Sequence, residues 1–144
     1  MNTQWKTEQA FLSVIGDVSG LNGYRSQGDT EKQMNFYMVA ASAGNETIPN
    51  TGNYLVTVEI TVATQSDKQG ALDADPLTVH QANVENVFSK VLTTDLATNL
   101  NNAVNNFGVL YTKPENKAHE LDSALRAYVD TLTLVIGAMD TDLL

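Results

Sequence analysis

One run in the middle of the chain alternates without a break. Tyr54, Val56, Val58, Ile60 and Val62 take one parity, and Leu55, Thr57, Glu59, Thr61 and Ala63 take the other. Strand side chains point to opposite faces with a period of two, so the run predicts a β-strand with one face buried and the other at least partly wet. Such a strand needs neighbours along its edges and a second layer on its apolar face. The remaining sequence must supply both.

Candidate neighbours lie on either side. Met34–Ala41 reads as a strand, with Phe36, Met38 and Ala40 on one face and Tyr37 and Val39 on the other. Ser42–Asn53 follows with Gly44, Asn45, Pro49, Asn50 and Gly52, which is dense turn chemistry and predicts an antiparallel hairpin. Phe107–Lys113 predicts a short strand in which Phe107, Val109 and Tyr111 alternate with Gly108 and Leu110. Pro114–Leu121 reads as a polar loop. Arg126–Ala138 predicts the last strand, with Leu132, Leu134 and Ile136 facing one way and Val129 and Val135 the other.

Helical spacing supplies the second layer. Trp5, Phe11, Leu12 and Ile15 recur along one face of a first helix over Met1–Val18, with Lys6, Glu8 and Gln9 expected in solvent; Gly16, Gly20 and Gly23 end it. Leu21–Gln33 is punctuated by glycine and reads as a loop. Asp75-Pro76 is a helix start, an N-cap followed by proline at the first helical position, with Thr78 and Gln81 as a rival capping box. Val84, Val87, Phe88, Val91 and Leu92 then follow the core-facing pattern. An unbroken helix from 77 to 103 would be ~40 Å long, too long for a domain with a radius of gyration of ~15 Å. A break near Thr94 is expected, and then a second short helix holding Leu96, Leu100 and Val104. The fold class is therefore α+β: a single domain over residues 1–144, an antiparallel sheet of about four strands with helices packed on one face.

Composition narrows the function. The 144 residues contain no cysteine, which excludes a disulfide framework, thiolate metal sites and a cysteine nucleophile. Asp and Glu total 17 against 8 Lys and Arg, a formal charge of -9. That balance argues against a basic nucleic-acid interface. No apolar run is long enough to span a membrane, and no signal peptide is expected at the N-terminus.

Candidate chemistry is sparse. His80 and His119 lie far apart without H-x-x-x-H or H-E-x-x-H spacing, so each is expected to be an ordinary surface or half-buried histidine. Asp67, Asp73 and Asp75 crowd one loop, but their spacing is wrong for calcium and no glutamate closes it. No serine sits in a G-x-S-x-G frame, and no glycine loop is followed by Lys-Ser/Thr. Asn45-Glu46-Thr47 matches a glycosylation acceptor only by chance. Trp5 reads as a core or interface anchor. The residues nominate no catalytic, cofactor-binding or metal-binding side chain. Asp67, Asp73 and Asp75 on the acidic loop, and Glu59 mid-strand, are kept as candidate interface charges.

The order of these signals resembles the tail terminator family, small neck and tail-completion proteins of long-tailed bacteriophages. The likeness runs from Trp5–Ile15 through Ile48-Pro49-Asn50-Thr51-Gly52-Asn53-Tyr54 into the alternating strand. It continues with His80–Phe88, Thr94–Leu100 and Phe107-Gly108-Val109, and ends with Tyr128-Val129-Asp130-Thr131-Leu132-Thr133-Leu134. It rests on element order and apolar spacing, and Gly20–Gln33 departs from it in length. The resemblance implies an α+β structural virion protein without enzymatic activity or cofactor, assembled in the host cytoplasm. It implies a homo-oligomer, usually a hexameric ring, at the head-proximal end of the tail tube. Its partners would be the tail tube protein and the neck or head-closure protein, with DNA passing through without specific binding. A head-closure or adaptor protein, or a tube subunit, is the alternative. A small enzyme or ligand-binding domain using His80 or His119 comes behind both.

Overall fold

The computed structural model describes residues 2–26, 31–48, 51–67 and 75–140. A first helix, α1 (Asn2–Ile15), leads into strands β1 (Asn22–Arg25), β2 (Phe36–Ile48) and β3 (Asn53–Gln65). Helices α2 (Pro76–Phe88) and α3 (Leu96–Asn101) follow, and then β4 (Phe107–Asp122) and β5 (Ala127–Asp140). The strands form one sheet in the order β1-β2-β3-β5-β4. β1 pairs with β2 in parallel and every other pairing is antiparallel. The α+β class holds, with five strands in a mixed sheet where about four antiparallel strands were expected. No described helix is long and apolar enough to cross a membrane.

Register sorts the side chains. Tyr37, Val39 and Ala41 on β2, Val56, Val58, Ile60 and Val62 on β3, and Leu132, Leu134 and Ile136 on β5 share the face beneath the helices, and all are buried. Phe11 and Ile15 of α1, Val87 and Phe88 of α2, and Leu96 and Leu100 of α3 close over them. Positive φ at Gly16 (67°) lets the chain leave α1 there. Asp75 caps α2, accepting from Thr78 N at 3.2 Å, with Pro76 opening the first turn. The helix stops at Phe88, and α3 begins at Leu96, so the break expected near Thr94 is present. Among the described residues the opposite face of the sheet carries no helix: Leu55, Thr57 and Glu59 are exposed along β3.

Several expectations are corrected. Lys6 and Glu8 are not in solvent but 5% and 0% exposed. Lys6 Nζ lies 2.7 Å from Asp140 Oδ1, and Thr3 Oγ1 donates to the other carboxylate oxygen at 3.0 Å. Glu8 accepts from Arg25 Nε, Ser26 Oγ and the backbone N–H of Ala41. β1 ends at Arg25 opposite Val39, so the Ala41 N–H lies just past the end of the short strand, and the carboxylate takes the missing partner's place. Trp5 lies outside the core, 44% exposed, with the Arg25 guanidinium 5.6 Å from its ring centre.

The strands also run longer than expected. Ser42–Ile48 extends β2 through what read as turn, and Asn22–Arg25 pairs where a loop was expected. β4 runs through Pro114 to Asp122 where a loop was expected, and is irregular near Leu110 and Glu115. The first irregularity shifts parity, so Tyr111 pairs with Gly137 on the helix-free face instead of following Val109 inward. Its ring occupies the space a Cβ at Gly137 would need. Burial, and secondarily the charge of Asp17, push the Tyr37 phenol above its usual pKa; its hydroxyl donates to the Gly16 carbonyl at 2.7 Å.

Candidate functional site

The sheet register builds one polar corner under α2. Val62, Asp130 and His119 stand in one row across β3, β5 and β4, and Thr64, Tyr128 and Leu121 in the next. Both rows point to the helix side. Above them α2 contributes His80 and Asn83 from its inner face, both buried. His80 is 1% exposed and is not the surface or half-buried histidine expected. Its Nε2 lies 2.8 Å from Asp130 Oδ1 and its Nδ1 2.9 Å from Thr64 Oγ1. Asn83 Nδ2 donates to the same threonine oxygen at 3.1 Å. His119 Nδ1 makes a short contact with Asp130 Oδ1, so two imidazoles converge on one carboxylate oxygen. The Tyr128 ring packs beside both, 5.7 Å from His80 and 6.2 Å from His119 between ring centres.

The corner opens into a cleft of 580 Å³ between α2 and β4. Leu77, Val84, Phe88 and Leu92 form its apolar wall; His80, His119, Asp130 and Lys117 lie at its polar end. The cleft is the size of a small-molecule site, with convergent polar groups at one end of an apolar surface. Sequence spacing hid it, because His119 was assigned to a loop. Once β4 continues through Pro114, cross-strand pairing places His119 directly opposite Asp130.

The nominated interface charges are dispersed. Glu59 stands exposed on the helix-free face, paired in register with Ala40 and Thr133, on the opposite side of the sheet from the cleft. Asp67, just past β3, reaches Arg126 Nη1 at 3.5 Å, an exposed pair. Asp75 serves α2 as its cap. Asp73 lies outside the described residues. Compared with known protein families and with curated proteins, the sequence matches none.

Proposed function

We propose that the chain is a structural virion subunit of a long-tailed phage. It closes into a ring at the head-proximal end of the tail tube, ends tube growth, and joins the tail to the neck. The observation that carries this reading is the helix-free face of the sheet. Around Glu59 that face presents Ala40, Thr57, Thr61, Thr133 and Val135, all without charge. Charged residues make up 17% of the chain, against about 25% in typical soluble domains. The centre of this face, threonine and small apolar side chains, can be covered by a neighbour at little desolvation cost, while Glu59, and Lys113 and Glu120 toward the β4 edge, would require oppositely charged partners there.

The outer edge of β4 supports contact through faces and not through strand addition. Lys113, Pro114 and Lys117, with the irregularities near Leu110 and Glu115, are features that keep an edge strand from pairing with another chain. A face that meets a different surface on the next copy makes a head-to-tail contact, which closes into a ring when the rotation allows. The formal charge of -9 on every copy repels phosphate, which suits a ring that DNA traverses without being gripped.

Electron microscopy of the purified chain tests the proposal. Closed rings that bind one end of isolated tail tubes are expected. Open-ended stacks would move the assignment to a tube subunit, and a monomer inert toward tubes at high concentration would overturn it.

A further inference from the structure

The assembly proposed above makes no use of the corner under α2, where three metal-ligating side chains converge. We propose that His80, His119 and Asp130 bind one divalent transition-metal ion of the Zn²⁺ class. Among the described residues these three offer one ligand atom each, and those atoms all lie within 4.8 Å of one another. Two imidazole nitrogens and one carboxylate oxygen form a donor set that suits zinc and its first-row neighbours. The three residues come from three different elements, α2, β4 and β5, so the convergence is a product of the tertiary fold and not of local sequence.

Three further features fit a metal site. The first is orientation. Thr64 Oγ1, itself 1% exposed at the residue level and held by Asn83 Nδ2, sits at His80 Nδ1 and can accept its proton, leaving Nε2 free to ligate. Ligating histidines are commonly held this way through the other ring nitrogen. The second is freedom to adjust. Bonds of ~2.0–2.1 Å place tetrahedral ligand atoms roughly 3.3 Å apart, while His80 Nε2 and Asp130 Oδ1 stand at 2.8 Å. That pair needs to open by only about half an ångström, and His119, whose side chain is 52% exposed on the open side beside Asp130 at 21%, has room to reorient. The third is access. The corner borders the cleft, so a fourth position can hold water or an exogenous ligand, as in zinc sites with three protein ligands.

Zn²⁺ titrated into the tag-free chain, followed by calorimetry, tests the site. The chain's two histidines are both in it, so no other imidazole competes. One ion per chain is expected. His119→Ala, at an exposed position where folding is preserved, should weaken binding by at least about 100-fold, since loss of even an outer partner costs 10–100-fold. Asp130→Asn should weaken it as well. Absence of binding at millimolar Zn²⁺, or undiminished affinity in His119→Ala with its circular dichroism unchanged, would overturn the site.

Discussion

The two faces of one sheet follow different rules. Beneath the helices, every position from Val56 to Val62 that points inward is fully buried, and the charges admitted there are matched with partners. Lys6 meets Asp140, and Glu8 collects Arg25, Ser26 and the Ala41 N–H. On the other face the same strand presents Leu55, Thr57 and Glu59 to solvent, with no covering layer among the described residues. A buried charge must be paired because desolvation costs several kcal/mol per ion. An exposed face carries no such requirement, and its composition is free to serve a neighbour. The contrast separates what holds the fold from what is available for assembly.

Substitutions sharpen that separation, beginning with the largest effect. Glu8→Ala should cost about 3–5 kcal/mol, because it strands the Arg25 guanidinium and orphans the Ala41 N–H beside α1. Urea denaturation measures it, and a loss below about 1 kcal/mol would show that the buried carboxylate is dispensable. Leu132→Ala, at 1% exposure on the same inner face, should cost about 2–4 kcal/mol through lost contacts and a cavity. The same titration reads it. Asp75→Ala removes the α2 cap and should cost about 1 kcal/mol, visible as a small drop in the urea midpoint. On the helix-free face, Thr57→Arg should change stability by no more than about 0.5 kcal/mol, while its effect falls on assembly.

Much of this division is legible in the sequence, for a local reason. The alternation of Tyr54–Ala63 fixes a strand and its two faces from neighbouring residues alone, and Asp75-Pro76 marks a helix start in the same way. What sequence spacing hides is long range. Helical periodicity assigns Lys6 and Glu8 to solvent because their partners, Asp140 and Arg25, lie on other elements. β1 owes its place to parallel pairing with β2, and no periodic pattern marks its four residues. Pro114 reads as a loop, yet proline is tolerated on an edge strand, and β4 is the edge of this sheet. That extension carries His119 to Asp130, so the metal-ligand corner becomes visible only with the register. One irregularity near Leu110 is enough to turn Tyr111 from the inner face to the outer.

The claim that the helix-free face joins copies of this chain is tested most directly by mass. Light scattering on the purified wild-type chain and on Thr57→Arg, at equal concentration and with matched urea stability, compares the two. A closed oligomer for the wild type, and a monomer for Thr57→Arg folded as stably, is the predicted result. Equal masses for the two proteins would contradict it and leave the face without a role in assembly.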